Sequence, residues 1–464
     1  MISAFLSIKE LANFQTDTVT KLRLATENGD VYINNIQKGT ALIGASDTNS
    51  VDNFAFHFFQ HFSKYKYSGI FYDHDSFKLT SLAYPLFDNQ AMDLKVVSLD
   101  IIYNRVNPIA PRYLPLKRDI RKASHVFIKN IIFSQTHTSL KSTNLNWKAA
   151  ESLLSGIIYY LKTYYPSSCT IPHVITLINN TNTEELVRVV GKDSEAGQLA
   201  QDFTSIYRNN KQAAEEICKF LKNYFNKIST ERTFMVLSKD EVDLHVFSNE
   251  SKEVISVVNN PLHETNYSPL LALVLNTSFK NKNEVRKPAF VYFKEAHCFY
   301  LYRIHRFFSK LRRKNVAIIY EVDEKFQNDL FYGNRVSDNI LSRLSNKFIG
   351  RGVSQISARY SQKIVQRVKD KARRIANSKN FSLQRLWLHY KSDLSKILSS
   401  SFTRLKLGEF VSRLEEKDVI TRFEDRTFDR IKPLPKKVYT SKEISENYQQ
   451  IIDEIKEIKK VALN

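Results

Sequence analysis

A phosphate-binding turn is the first chemistry that the residue pattern suggests. An apolar β-type run at residues 40–43 ends in Gly44, and a helix-compatible aromatic segment at residues 54–62 follows a polar loop. In a P-loop of the pattern G-x-x-x-x-G-K-[ST], glycines let backbone N–H groups approach phosphate, the lysine neutralises charge, and the hydroxyl holds magnesium. The order strand, glycine turn, helix therefore predicts a turn of the phosphate-binding type.

The loop departs from that pattern in the residues that do the chemistry. Counted from Gly44, the second glycine is replaced by Asn49, the lysine by Ser50 and the hydroxyl residue by Val51. Asp47 adds a negative charge where phosphate would bind. The segment alone leaves two interpretations open, which are an ordinary strand-to-helix turn and a P-loop fold that has lost its nucleotide chemistry.

Composition restricts the class of protein. The 464 residues suffice for two or three domains, and a hydrophobic content of 42% is typical of a globular chain. The formal net charge of +21 favours an acidic partner, such as nucleic acid, an anionic membrane surface or an acidic protein. Three cysteines, Cys169, Cys218 and Cys298, are too widely spaced for a disulfide framework, which indicates a reducing compartment.

Targeting and metal-binding signals are weak. The N-terminus lacks the pattern of a signal peptide and no apolar run is long enough to span a bilayer, so we predict a cytoplasmic chain that partners can recruit to the inner membrane. His57 and His61 are four residues apart but lack the glutamate of a zinc-protease helix, and we interpret them as core or surface residues. We predict no metal and no cofactor.

The elements around the glycine turn alternate between strand and helix. Such alternation predicts βαβ units with a parallel sheet, interrupted by a segment whose apolar residues have helical spacing only. The predicted strands are residues 68–73, 95–100, 232–237, 242–247, 254–258, 288–297 and 315–321, and the helices of the interrupting segment are 147–161, 172–190, 195–207 and 212–228.

The stretch 351–437 is the most basic part of the chain. One interpretation is a solvated helix, and the other is contact with nucleic-acid phosphates or an acidic partner. Residues 441–460 have isoleucines at helical spacing and predict a terminal amphipathic helix. The six basic residues proposed for the contact are Lys363, Arg367, Lys369, Lys371, Arg373 and Arg374.

In their order, the motifs over residues 35–436 resemble a TraG-type coupling protein of bacterial conjugation and type IV secretion, especially its Bacteroidetes branch. The stretch KGTALIGASDTNSVDNF is similar to the family's P-loop region, PAFVYFKEAH to its Walker B strand, and RRKNVAIIYEVDEKFQNDLFYGNR to its sensor strand and the segment after it. ESLLSGIIYYLKTYYPSSCTIPHVITLIN is similar to the start of its helical domain.

The resemblance implies an α/β fold, namely a RecA-like P-loop NTPase fold with a mainly parallel sheet and an inserted all-alpha domain. We expect five parts. They are a β-rich lead-in at 1–38, the first part of the RecA-like domain at 39–145, the all-alpha domain at 146–230, the second part of the RecA-like domain with a basic C-terminal region at 231–437, and an amphipathic helix at 438–464.

The resemblance also exposes further departures. Walker B should end in Asp-Glu, and here the pair is Lys294-Glu295, while the sensor position reads as Asp323. Since the Asp serves magnesium and the Glu the attacking water, these losses predict a pseudo-ATPase, that is, no enzyme. Lys294 either replaces the missing P-loop lysine or neutralises Glu295 or Asp47.

The function expected from the resemblance is a degenerate coupling-protein homologue. It would act as a structural, adaptor or substrate-recruiting component of a bacterial secretion or transfer apparatus, with apparatus or effector proteins as partners. The alternative is a nucleic-acid-binding protein or a still-active DNA-translocating conjugation ATPase.

Overall fold

Two compact units make up the described part of the chain. The computed structural model describes residues 19–27, 29–44, 49–88, 92–136, 146–279, 287–295, 298–323, 325–350, 408–414, 417–424, 434 and 439–464. Unit 1 draws on Met1–Tyr67, Val285–His297 and Ile304–Ile431, and unit 2 on Ser68–Glu284, Cys298–Arg303 and Lys432–Asn464. The predicted five-part division of the chain stays a prediction.

Strands and helices alternate over much of the described part. The strands are β1 (Leu22–Leu24), β2 (Val31–Ile33), β3 (Thr40–Ile43), β4 (Ser68–Asp73), β5 (Asp93–Ser98), β6 (Glu253–Val258), β7 (Ala289–Lys294), β8 (Val316–Val322), β9 (Asn346–Ile349), β10 (Glu409–Leu414) and β11 (Lys417–Arg422). The helices are α1 (Asn49–Lys64), α2 (Lys78–Asp88), α3 (Lys117–Thr136), α4 (Trp147–Tyr164), α5 (Ile171–Asn179), α6 (Thr183–Gly191), α7 (Ser194–Leu199), α8 (Gln201–Asn209), α9 (Lys211–Ile228), α10 (Glu231–Leu237), α11 (Glu264–Ser278), α12 (Ile304–Arg312), α13 (Lys325–Tyr332), α14 (Asn334–Ser342) and α15 (Ser441–Leu463).

In unit 1 the strands lie in the order β11-β10-β9-β3-β8-β7. β9, β3, β8 and β7 are mutually parallel, whereas β10 and β11 are antiparallel additions at the edge. All residues of β3, β7 and β8 are buried, as expected for parallel strands covered on both faces. The predicted α/β class with a mainly parallel sheet is confirmed.

Aromatic side chains of α1 bind that helix to the sheet of unit 1. Phe62 stacks on Phe290 of β7 with ring centroids 4.2 Å apart, and Phe54 packs edge-on against Phe348 of β9 at 5.2 Å. Because α1 follows β3 directly along the chain, this packing fixes the turn that joins them.

Unit 2 contains the parallel strands β4-β6-β5 and most of the helices. Helix α3 packs against α11, and α4 packs against α7 and α8. Gly156 allows the close approach of α4, since a methyl group there would clash with Ala200 and with the carbonyl oxygen of Ala196. Helix α15 buries Ile451, Ile455 and Ile458 against α5, α6 and α10.

Two predicted strands are wrong. Residues 232–237 form α10, because the Thr230 side chain caps that helix by accepting from the Thr233 N–H at 3.1 Å. Residues 242–247 form no strand, since Asp243 accepts from the N–H of His245 in a side-chain turn.

Candidate functional site

The carboxyl ends of β3, β8 and β7 meet at one edge of the unit 1 sheet. Ile43 pairs with Val322, and Lys294 pairs with Glu321, so the three strands end at nearly the same level. Gly44 follows β3 with φ +80°, a left-handed conformation that favours glycine, and its N–H donates to the carbonyl oxygen of Val322 at 3.0 Å. In open α/β sheets this edge is where ligands bind.

A second glycine brings the neighbouring strand against this turn. Gly350 follows β9, and its N–H donates to the carbonyl oxygen of Ile43 at 2.8 Å. A methyl group on Gly350 would fall well inside contact distance of the Gly44 carbonyl oxygen. The backbone after β3 is therefore held between β8 and the residue after β9.

Lys294 and Glu321 are two ionisable residues inside the protein that interact electrostatically. The exposed fraction of Lys294 is 9% and that of Glu321 is 1%. The Tyr292 hydroxyl donates to Oε2 of Glu321 at 2.9 Å, while Oε1 has no hydrogen-bond partner among the described residues. Burying a carboxylate oxygen without a hydrogen bond costs free energy, so Oε1 destabilises the ionised form of Glu321.

Glu295 and Asp323 form the rim of the site. Glu295 adopts φ +57°, which is unfavourable for a residue with a Cβ, and its N–H donates to the Glu321 carbonyl oxygen at 3.1 Å. Its Oε1 accepts from the N–H of Asp323 at 2.9 Å. These two contacts fix the Glu295 carboxylate over the end of β8.

Burial and mutual repulsion raise the pKa values of two carboxyl groups. Burial raises the pKa of Glu321 to about 7 against the opposing effect of Lys294, and the charges of Glu295 and Asp52 add to the rise. Burial and then the adjacent Glu295 also raise the pKa of Asp323 well above its usual range. The site therefore retains protons near neutral pH that ordinary carboxylates have lost.

The structure brings together part of the residue set predicted from the sequence. Gly44, Lys294, Glu295 and Asp323 lie at this sheet edge, and Val51 is buried in α1 with 4% exposure. Asn49 and Ser50 belong to the first turn of α1, but their side chains, like Asp47, lie outside the described residues. The same is true of the basic residues Lys363, Arg367, Lys369, Lys371, Arg373 and Arg374.

Sequence reasoning missed Glu321, Tyr292 and Asp52 as members of the site. The sequence did contain one indication of this role: Glu321 is a carboxylate close to the end of the apolar run VAIIYEV, where an uncompensated charge is unfavourable.

Within the described ranges, no group of three or more His, Cys, Asp or Glu side chains is arranged to hold a metal ion. Nor do those ranges contain a helix both long and apolar enough to cross a membrane.

Solved structures with this fold are known, although no family model matches the sequence and no curated protein is significantly similar to it. The bacterial conjugative coupling protein TrwBdeltaN70, in an unbound monoclinic form, is 9% identical with a TM-score of 0.59, over 89% of this chain and 90% of that one. VirB4 of Thermoanaerobacter pseudethanolicus is 10% identical with a TM-score of 0.51, over 88% and 97%. The chain thus has the coupling-protein fold, and the predicted resemblance is confirmed at the level of the fold.

The prediction that the chain is a pseudo-ATPase, and so not an enzyme, is wrong. Among solved structures with this fold, the plasmid coupling protein TrwB is in complex with a GTP analogue, with an ATP analogue, and with ADP and Mg²⁺. Their TM-scores are 0.57, 0.57 and 0.54. The prediction counted missing signature residues one by one, and it did not include Glu321, which β8 brings opposite Lys294 at the sheet edge.

Proposed function

We propose that the chain is a nucleotide-binding component of a bacterial conjugation or secretion apparatus, with the nucleotide phosphates at the ends of β3, β7 and β8. The observation that carries the proposal is the junction of the Gly44 turn, Lys294 and Glu295 at one edge of a parallel sheet. The complexes of TrwB with nucleotides support nucleotide binding as a property of proteins with this fold.

Lys294 is the proposed phosphate cation. β7 and β3 lie on either side of β8. Because neighbouring strands are about 4.8 Å apart, the Lys294 backbone lies about 10 Å from that of Ile43. An extended lysine side chain covers much of this distance. It would supply the positive charge that Ser50 does not provide in the loop.

Glu295 is the proposed group that orients the attacking water. Its carboxylate is fixed by the Asp323 N–H at the rim of the site, and it follows the strand that carries Lys294. Bound magnesium would supply further neutralisation of the phosphates, and the described residues contain no group of three or more His, Cys, Asp or Glu side chains arranged to hold it.

Nucleotide binding and turnover test this proposal. Calorimetry of the purified chain with magnesium-ADP should detect binding, which Lys294→Met should abolish and the exposed-lysine control Lys310→Met should not change. Glu295→Gln should retain binding but lower ATP turnover by on the order of 10²–10³-fold. The proposal is overturned if millimolar nucleotide does not bind or if turnover is unchanged by Glu295→Gln.

The apparatus itself is part of the proposal, with secretion-apparatus or effector proteins as partners that recruit the chain to the inner membrane. Affinity purification from the native bacterium should recover subunits of one transfer or secretion system. Recovery of the chain alone from solubilised membranes and from the soluble fraction would argue against this part.

A second candidate function is nucleic-acid handling, favoured by the solvent face of α12. Arg306 and Lys310 on α12 are exposed, as is Arg313 directly after the helix, and they lie opposite the buried face of Ile304, Phe308 and Leu311. None of the three cations has an ion-pair partner among the described residues. Such a face, together with the predicted contact at residues 363–374, suits a phosphate backbone.

Salt dependence tests this second candidate. With three phosphate contacts to single-stranded DNA, the logarithm of the affinity should fall with the logarithm of the salt concentration with a slope of about 2. Charge reversal of Arg306, Lys310 and Arg313 should remove this salt dependence. Charge reversal of three exposed lysines on α15, Lys442, Lys456 and Lys460, is the matched control. Absence of DNA binding at about 150 mM salt would overturn this candidate.

A further inference from the structure

Carboxyl groups outnumber cations among the described residues of the candidate site. Asp52, Glu295, Glu321 and Asp323 act electrostatically on one another or on Lys294. With every group ionised, four negative charges and one positive charge leave a formal charge of −3. A site with this charge repels a polyphosphate, and it needs additional positive charge to bind one.

Each element around Glu321 contributes to this balance. β7 provides Tyr292, Lys294 and Glu295, and α1 provides Asp52. Asp323 directly follows β8, and the β3 residue facing Glu321 is the apolar Leu42. The nearby Lys325 pairs with Asp329 and Asp338, and Lys294 is the cation that acts most strongly on Glu321.

The unsatisfied oxygen of Glu321 indicates how the imbalance is relieved. Oε2 accepts from the Tyr292 hydroxyl, whereas the buried Oε1 has no donor among the residues that the structure describes. A protonated Oε1 carries no charge that needs solvation, and it can donate a hydrogen bond to an anion. The geometry therefore provides a proton-binding position at the base of the site.

We propose that protons on Glu321 and Asp323 replace the missing cations of this site, so that it binds nucleotide in the protonated form and releases it as pH rises. The inference rests on the proposed function, since it names the regulation of the same site. Glu321 has the lower pKa of the two groups, at about 7, and it sets the onset of the effect. Binding is full below that value and weakens above it.

Calorimetry with ADP at pH 7.5 to 9 in the presence of EDTA tests the proposal. Repeating each titration in two buffers of different ionisation enthalpy gives the number of protons taken up on binding. The phosphates of ADP are already fully ionised in this range, because their last pKa is about 6. For one linked proton, the dissociation constant should rise towards tenfold per pH unit, with nearly one proton taken up per ADP bound. Glu321→Gln should remove both the slope and the uptake, and exposed Glu457→Gln should retain them.

The outcomes separate the two proposals. ADP binding with a constant affinity and no proton uptake overturns the proton-linked site but not nucleotide binding. A slope that persists in Glu321→Gln also overturns it. No ADP binding at any pH overturns both. The proton count of the wild-type protein decides the proposal even if Glu321→Gln does not fold.

Discussion

Lys294 and Glu321 are paired residues in the parallel ladder between β7 and β8, so their side chains leave the sheet on the same face. Both are buried, and the ammonium group of Lys294 lowers the pKa of Glu321 while burial raises it. The charge state of each residue consequently depends on the other. This pair links the stability of unit 1 to the chemistry of the site.

The first prediction concerns that dependence. Lys294→Met should destabilise the protein by about 3–5 kcal/mol at pH 8, because it leaves buried carboxylates without their cation. The same change in a Glu321→Gln background should cost at least 1 kcal/mol less. Urea denaturation of the four proteins measures the coupling. Lys310→Met should stay within about 0.5 kcal/mol of wild type, and equal costs in both backgrounds would exclude a direct interaction.

The second prediction concerns stability against pH. Because the pKa of Glu321 is raised from 4.5 to about 7 in the folded protein, its contribution is full below 4.5 and is lost as pH rises to about 7. Glu321→Gln should therefore match wild type near pH 5 and exceed it by up to about 3 kcal/mol at pH 8. Thermal unfolding across this range measures the difference. A difference in stability between the two proteins that does not change with pH would mean that Glu321 has the same pKa in the folded and unfolded states.

The third prediction concerns the two glycines after β3 and β9. Gly350→Ala should destabilise unit 1 by about 1–3 kcal/mol or more, because the new methyl group meets the backbone of Gly44 rather than a movable side chain. It should also weaken ADP binding. Gly191→Ala in α6 is the control, since its methyl group meets nothing within 4 Å. Equal unfolding midpoints for the two variants would refute the close approach.

The fourth prediction concerns α15. Ile455→Ala should lower the free energy of unfolding by about 2–5 kcal/mol, because Ile455 is buried where α15 packs against other helices of unit 2. The helix is also tied by His173 Nε2 to Glu454 at 2.9 Å and by Lys459 Nζ to Glu185 at 2.8 Å. Limited proteolysis should cut Ile455→Ala within α15. The exposed neighbour Lys456→Ala should resist proteolysis like wild type.

The strands of the site were predictable because their patterns are unambiguous. Residues 40–43 form β3 with the predicted bounds, and β4 also matches its prediction residue for residue. Both are short β-type runs bounded by turn residues. Helix boundaries were less accurate. Residues 172–190 form α5 and α6 instead of one helix, because Asn182 and Glu185 make a capping box that starts a new helix.

The chemistry of the site was less predictable than its position. Gly44, Lys294 and Glu295 were identified from the order of motifs, but Glu321 was interpreted as the end of a strand. Its importance depends on its register opposite Lys294 and on the unpartnered Oε1, and neither is encoded in local sequence. Burial also decides its charge, and burial is a property of the folded chain.

The division of the chain between the two units has a consequence for biosynthesis. Each unit combines segments from both halves of the sequence, and unit 2 places Ile451, Ile455 and Ile458 in its core. Neither unit can complete its core while the ribosome is still translating the segments before residue 400. The nascent chain must keep residues 40–43 without their partner strands until residues 316–322 and 346–349 have been made, and an unpaired strand edge of this kind favours aggregation before folding is complete.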